Sequence, residues 1–385
     1  MKRLLFFLLL IIFFLQIPIT FYSGVLDQFV FVLDPEELLN SSIQSLNVLG
    51  LYLKYYQTGN IQYKNIADQT VPYLNQDLKA DDKAILNVLN EYTWGNSQET
   101  IHKIDLLLKN YPNSVIVNAI NVWFLFDEWK KAESYELSKN ILSSIDIIKE
   151  NVGINPFSSY YESIIRWNNA SIQEKQEIYS QLNQTFSLFP DNKKIQQLLI
   201  TKAYELSDYQ RIQQIAPVYT NQPYTEENIM LIIAYSYYYL DQKTQARRIA
   251  EWLVKNSDKK NILSKSYELL GDISNTFTQK INYYYTSLNY DQKNTDALAK
   301  IGTLLYQNNS KDYLELSKIF LTKAVIFDPN NEAALEILKE IDNKYELRNF
   351  FSTLLPLFIL SIFIIFIIYI FGKEKEQENA AKWRK

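Results

Sequence analysis

The chain has 385 residues, of which 47% are apolar and 21% charged, so it can bury a sizeable core and is not a globally disordered protein. Its eight glycines are few for sheet folds that need many tight turns, and the lack of cysteine excludes disulfides, thiolate metal sites and cysteine nucleophiles. The composition therefore predicts an all-α protein whose helices are joined by short polar turns.

The chain begins with a hydrophobic segment. Residues 1–24 read MKRLLFFLLLIIFFLQIPITFYSG, in which Lys2 and Arg3 precede an apolar run that extends to about Tyr22. A cleaved signal peptide has small residues just before the cut, whereas Phe21 and Tyr22 occupy the relevant places here. We therefore favour an uncleaved transmembrane anchor, and a signal peptide is the alternative.

A second hydrophobic segment lies near the other end. Residues 350–371 read FFSTLLPLFILSIFIIFIIYIF, and at about 1.5 Å per residue they span about 33 Å, which matches a hydrocarbon core about 30 Å thick. The few hydroxyl groups in this segment do not suggest an ion path or a substrate site. We interpret it as a transmembrane anchor followed by a basic tail, residues 372–385.

The charges beside the two segments predict the topology. Lys2 and Arg3 precede the first segment, and five basic residues follow the second. This pattern predicts an integral membrane protein with both termini in the cytoplasm and the region between them outside it, and the inverted topology is the alternative. The whole chain has 39 basic and 43 acidic residues, and the two tails hold seven of the basic and three of the acidic ones. The region between the tails therefore has 32 basic and 40 acidic residues. Such an acidic surface disfavours nucleic-acid binding.

A repeated pattern occupies the region between the hydrophobic segments. The segment SKIFLTKAVIFDPNN places Ser317, Leu321 and Ala324 on one helical face before Pro329. The same frame recurs upstream, and from the segment at residue 178 onward successive starts are 33, 35, 34 and 37 residues apart. The starts of the six segments are Thr100, Ile178, Arg211, Ala246, Lys280 and Ser317.

This pattern resembles the second helix of the tetratricopeptide repeat (TPR), a family with a period of about 34 residues. The resemblance implies a right-handed solenoid of helical hairpins over residues 25–347, clearest over 178–340, flanked by N- and C-terminal transmembrane helices. Residues 115–177 match poorly, and we interpret them as one or two degenerate units. Pro217 falls inside a second helix and is expected to kink or shorten it.

The first helix of each TPR hairpin carries a small residue where the two helices touch. The resemblance assigns this role to Ala234, Gly271 and Gly302, and Gly50 would do the same in a first unit. It also assigns partner binding to the exposed side of the first helices, although packing between units is an alternative role for each residue there. The groove residues implied are Asn228, Tyr235, Tyr238, Lys265, Asp272, Asn275, Thr303 and Tyr306.

Catalytic patterns are weak. His102 is the only histidine, and without cysteine it cannot build a usual zinc site, so we expect a surface or packing residue. The acidic pairs Glu36–Glu37 and Asp81–Asp82 are expected to begin helices, the first behind a capping Asp34. The sequence therefore predicts no enzyme, no catalytic or metal site, no cofactor and no small-molecule substrate.

These features favour a membrane-anchored scaffold that binds peptide segments of other proteins in the cell envelope and contacts the lipid bilayer through two apolar helices. An assembly or chaperone-like factor for immature envelope proteins is the alternative, followed by a non-catalytic subunit of an envelope enzyme complex. The FVFVL stretch at Phe29 could fold back and cap the groove.

Overall fold

The computed structural model describes residues 24–74, 78–220, 226–308 and 311–382. The predicted N-terminal anchor therefore lies outside the described residues, except for Gly24. The described residues form helices and no strand, as the composition predicts. The chain divides into two compact units, Met1–Tyr224 (unit 1) and Thr225–Lys385 (unit 2).

Unit 1 contains two short helices followed by five helical hairpins. In each hairpin, two consecutive helices joined by a short turn pack against each other. We call the earlier member the first helix and the later member the second helix. In chain order the helices of unit 1 are α1 Phe29–Val32, α2 Pro35–Leu39, α3 Gln44–Thr58, α4 Ile61–Thr70, α5 Ala80–Glu91, α6 Ser97–Asn110, α7 Val115–Ala132, α8 Tyr135–Val152, α9 Pro156–Trp167, α10 Ile172–Leu188, α11 Lys193–Glu205 and α12 Tyr209–Thr220.

The poorly matching region 115–177 forms one full hairpin, α7 and α8, and the start of the next. Both helices have 18 residues, longer than the 14 of α6. Residues 115–126 of α7 are all buried, with Asn118 and Asn121 among them, so this stretch is buried all round and lacks the single buried stripe that makes a repeat recognisable. Ser114 caps α7, because its side chain accepts a hydrogen bond from the backbone N–H of Val117.

Helix α12 carries the internal proline. Its described part, Tyr209–Thr220, continues past Pro217 and ends where the described residues end. The kink or shortening that the sequence predicts at this proline stays a prediction.

Unit 2 contains three hairpins and a long C-terminal helical run. Its helices are α13 Glu227–Tyr239, α14 Lys243–Asn256, α15 Lys260–Ile273, α16 Phe277–Tyr290, α17 Thr295–Gln307, α18 Lys311–Phe327, α19 Glu332–Asn349 and α20 Leu355–Lys382.

Two glycines of unit 2 lie where the sequence predicts close helix contacts. A methyl group at Gly271 would overlap Cε1 of Tyr284, and one at Gly302 would lie 2.5 Å from Cγ of Leu321. Both partners lie on the second helix of the same hairpin, so the predicted contact is confirmed at these two positions.

Gly50 differs from this prediction. A methyl group there would meet Cβ of Leu38 at 2.8 Å and the carbonyl oxygen of Pro35 at 3.1 Å. Both atoms belong to α2, which packs against α3 ahead of the first hairpin. The assignment of Gly50 to a contact between the two helices of a first unit is therefore wrong, because the preceding short helix takes that place.

The C-terminal hydrophobic segment lies within a long helical run. A π-helical turn, Phe350–Leu354, joins α19 to α20, and the basic tail is helical as far as Lys382. Within the described ranges, one helical stretch, Glu332–Lys373, is long and apolar enough to cross a membrane, and none of its most apolar window is buried. The predicted span 350–371 falls inside this stretch.

Candidate functional site

The eight predicted groove residues fall on the first helices of unit 2, with one exception. Asn275 lies in the turn after α15, two residues beyond its last residue, Ile273. Asn228 and Asn275 are exposed, and the other six are partly buried. We call the surface that the first helices α13, α15 and α17 share the unit 2 face.

A chain of ion pairs joins α15 to α17 on the unit 2 face. The Nζ of Lys265 lies 2.9 Å from Glu268 Oε2 and 2.7 Å from Asp296 Oδ2. The Nζ of Lys300 lies 2.6 Å from Glu268 Oε1 and 2.7 Å from Asp272 Oδ2. Two predicted residues, Lys265 and Asp272, therefore meet in one network, with Glu268 at its centre.

Neutral donors complete this network. The hydroxyl of Tyr284 donates to Asp272 Oδ1 at 2.8 Å, and Nδ2 of Asn294 donates to Glu268 Oε2 at 2.9 Å. The Glu268 side chain is 3% exposed.

Burial raises the pKa of Asp272, although the Lys300 charge opposes it. Burial alone would lower the pKa of Lys300, but the charges of Glu268 and Asp272 outweigh it and the pKa is raised.

Sequence reasoning missed five members of this network, Glu268, Tyr284, Asn294, Asp296 and Lys300. Glu268 and Lys300 are 32 residues apart in the chain, which is close to one repeat. Opposite charges one repeat apart on first helices are a signal that could have found them. The network fixes a rigid charged surface, because each buried charge has a partner at hydrogen-bond distance.

The predicted tyrosines at either end of the unit 2 face contact neighbouring helices. The hydroxyl of Tyr235 donates to the backbone oxygen of Lys265 at 3.2 Å. The hydroxyl of Tyr306 donates to Glu340 Oε2 at 2.8 Å, and the Nζ of Lys344 lies 4.2 Å from its ring centre. These two side chains therefore have the packing role that the sequence left open.

In unit 1 the N-terminal segment, residues 24–39, packs against the first helices of the hairpins. Phe29 is fully buried, with its ring 5.7 Å from that of Trp123 on α7 and 5.3 Å from that of Phe157 on α9. The Nδ2 of Asn192, which caps α11, donates to the backbone oxygen of Val32 at 3.4 Å. The FVFVL stretch thus folds back onto first helices, as its sequence suggested it could. We call residues 24–39 the internal segment.

Asp27 bonds the start of the internal segment to α7, and a second buried carboxyl, that of Asp82, lies nearby. Asp27 Oδ1 accepts a hydrogen bond of 3.2 Å from the backbone N–H of Ile116, at the N-terminus of α7, and Asp27 Oδ2 accepts one of 2.8 Å from Gly24 N–H. Asp82 on α5 is fully buried, and a methyl group at Gly24 would lie 3.0 Å from its Oδ1. Burial raises the pKa of Asp82 to about 6, assisted by the charges of Asp81 and Asp27 and opposed by a hydrogen bond from Lys79 N–H.

A cleft of about 820 Å³ opens beside the internal segment. Residues Leu33, Asp34 and Pro35 form one wall. The other walls come mainly from α3, α7, α9 and the turn between α5 and α6, and they are rich in aromatic rings. The aromatic lining residues are Tyr56, Tyr92, Trp94, Trp123, Phe126, Tyr160 and Tyr161.

The acidic residues and the histidine considered for catalysis lie at helix starts or on the surface. Asp34 Oδ1 accepts a hydrogen bond from Glu36 N–H at 3.0 Å, with Pro35 in the first turn of α2, and Asp82 caps the start of α5. These helix starts are confirmed. His102 is exposed on α6. Among the described residues, no group of three or more His, Asp or Glu side chains could hold a metal ion.

Comparison with known proteins gives weak likenesses. No family model and no curated protein matches the chain. Among solved structures, it is similar to the APC/C hetero-tetramer Cut9–Hcn1 (TM-score 0.47, 11% identity, 80% of this chain and 58% of that chain). It is also similar to the C-terminal part of a TPR repeat-containing protein from Cytophaga hutchinsonii (TM-score 0.41, 12% identity, 66% and 97%). A human IFIT1 dimer with m7Gppp-AAAA is a further match (TM-score 0.40, 10% identity, 74% and 68%).

All three TM-scores are below 0.5, so these likenesses carry no argument about function. This chain has three TPR-like features of its own. Consecutive helices pair into hairpins, the second helices recur at about the TPR period, and Gly271 and Gly302 each lie against the second helix of their own hairpin. The described chain is thus an all-helical, TPR-like array of hairpins.

Proposed function

We propose that this protein is a non-catalytic scaffold that binds segments of other proteins on the first helices of its hairpins. The observation that carries the proposal is the internal segment of unit 1. There, first helices hold an apolar stretch through buried aromatic contacts at Phe29 and through a side-chain hydrogen bond to its backbone from Asn192. Protein surfaces use the same two kinds of contact, apolar side chains in a groove and hydrogen bonds to backbone, to bind peptide segments of other proteins.

The unit 2 face is the proposed surface for a partner. Tyr238 and Thr303 are partly buried on α13 and α17, and the ion-pair network at Glu268 lies on α15, which precedes α17 by one hairpin. Tyrosine offers a large rigid surface with a polar tip, and a pre-ordered charge network loses little entropy when a partner binds.

The proposed setting is the membrane, with the hairpins outside the cytoplasm. The apolar span 350–371 lies in a helical run that continues α19, and the basic residues after it favour a cytoplasmic tail. Protease treatment of spheroplasts tests this setting. Digestion of the hairpins with protection of a C-terminal tag would support it, and the reverse result would show the inverted topology.

A photo-crosslinking amino acid tests partner binding in intact cells. It would be introduced in place of Tyr238 or Thr303 on first helices and, as matched controls, in place of Trp252 or Tyr285, which are exposed on second helices. We expect one discrete product from the first-helix positions and none from the controls. Many faint products from the first-helix positions would instead indicate a factor that holds immature proteins. Crosslinks from the second helices alone would overturn the proposed surface.

A further inference from the structure

The internal segment defines the chemistry that the first helices of unit 1 accept. An apolar run, residues 29–33, is followed by Asp34, Glu36 and Glu37. The Nζ of Lys54 lies 2.6 Å from Glu36 Oε1. Burial raises the pKa of Glu37, and the charges of Lys193 and Lys194 act against that rise. This surface thus pairs aromatic rings with an apolar anchor and lysines with the acidic residues that follow it.

The open cleft continues the same surface. Leu33, Asp34 and Pro35 of the internal segment form its wall, and Lys130, Lys131 and Lys194 line it. Asp34 and Asp127 are the acidic lining residues, so the lining has three positive charges against two negative ones. Asp34 is engaged as the cap of α2. Lys130 forms an ion pair with Asp127 and Lys131 one with Glu128, but both lysine side chains are more than half exposed and can also reach a ligand in the cleft.

We propose that this cleft binds an acidic segment of a partner protein, with an aromatic or aliphatic side chain between the rings and its carboxylates near Lys130, Lys131 and Lys194. The proposal rests on the proposed function and adds a second binding position, in unit 1, together with the chemistry of the ligand. The bound segment lies alongside the internal segment and does not replace it.

The test uses the full-length protein in lipid nanodiscs and a fluorescein-labelled peptide, FVLDPEEL, which copies residues 31–38. A neutral peptide has Asn and Gln in place of its Asp and Glu. Fluorescence anisotropy should show saturable binding that is about tenfold tighter for the acidic peptide, the size of effect that charge complementarity supplies. Equal affinity for the two peptides, or no binding of either, would overturn the proposal.

Charge reversal locates the bound peptide. Lys130 and Lys131 are 55% and 67% exposed, so the double variant Lys130→Glu and Lys131→Glu should fold and should weaken binding about tenfold. The matched control reverses Lys109 and Lys139, which are exposed on the second helices α6 and α8, and should leave the affinity unchanged. Equal weakening by both double variants would show non-specific attraction and would also overturn the proposal.

Lys54→Ala separates cleft binding from displacement of the internal segment, because it removes the ion pair with Glu36. Binding in the open cleft predicts an unchanged affinity. An increase in affinity would show that the peptide replaces the internal segment, contrary to the proposal. If the peptide fails to bind while Tyr238 and Thr303 still crosslink to a partner, the cleft assignment fails and the proposed scaffold function stands.

Discussion

The two units pack their helices in different ways. In unit 2, small residues at Gly271 and Gly302 bring the helices of each hairpin together, and a charge network joins neighbouring first helices. In unit 1, the first helices are completed by the internal segment, whose Phe29 is fully buried between α7 and α9. Unit 2 is therefore a regular repeat array, whereas unit 1 depends on contacts between residues far apart in the chain.

The comparison is tested most strongly by Phe29→Ala. Removal of a fully buried ring from a packed core is expected to lower the stability of unit 1 by about 3–5 kcal/mol. Hydrogen exchange measured by mass spectrometry should show lost protection in α7 and α9 and unchanged protection in unit 2. Tyr135→Ala is the control, because that ring is 84% exposed. Retained protection in the Phe29 variant would mean that the internal segment is not part of the core.

The second prediction concerns pH and Asp82. Its carboxyl has a pKa near 6 in the folded chain, against an ordinary value of 3.8. A raised pKa means that the folded state holds the proton more tightly, so the contribution of Asp82 to stability is largest below about pH 4, falls as the pH rises to about 6, and is level above that. The difference corresponds to about 3 kcal/mol.

Asp82→Asn should remove this dependence and stabilise unit 1 at pH 7. The measurement is the urea midpoint at pH values between 4 and 7, followed by tryptophan fluorescence, to which Trp94, Trp123, Trp129 and Trp167 of unit 1 contribute. Asp146→Asn serves as the control, since Asp146 is exposed on α8. If Asp82→Asn and wild type lost stability in parallel as the pH rose, the buried carboxyl would not be the cause.

Unit 2 could be predicted in more detail than unit 1, for a physical reason. The contacts of Gly271 and Gly302 lie within one hairpin, so the spacing of small and large residues records them directly. In contrast, the bond from Asn192 to Val32 joins residues 160 apart, and no periodic pattern encodes such a contact. The same limit explains the error at Gly50, whose neighbour α2 belongs to no repeat.

The candidate sites of the two units differ in the same way, because the site in unit 2 lies on repeated positions and the cleft in unit 1 does not. Lys265 and Asp272 could be selected because first-helix positions recur with the repeat, whereas Glu268 was missed because it is buried beside them rather than exposed. The aromatic cleft of unit 1 draws its lining from α3, α7 and α9 and from the turn after α5. These elements come together only in the folded unit.

In unit 2, Glu268→Gln tests whether the charge network stabilises the array. The variant keeps the shape of the side chain but loses two ion pairs, to Lys265 and Lys300, and hydrogen bonds to charged groups contribute about 1.5–3 kcal/mol. Lys318→Gln is the control, because its ion pair with Asp342 is exposed and such pairs contribute about 0–1 kcal/mol. Similar urea midpoints for the two variants would show that the buried network adds no more than an exposed pair.

Gly302→Leu completes the comparison, because it tests the contact that makes unit 2 regular. The new side chain would begin 2.5 Å from Cγ of Leu321, so α17 and α18 must separate, and overpacking of this kind destabilises by about 1–3 kcal/mol. Gln307→Leu is the matched control, since Gln307 is exposed near the end of the same helix. Thermal unfolding should show a lower midpoint for Gly302→Leu alone, with the protection of unit 1 from hydrogen exchange unchanged. If both variants melted like wild type, the two helices would not pack as closely as a repeat requires, and the contrast between the units would lose its basis.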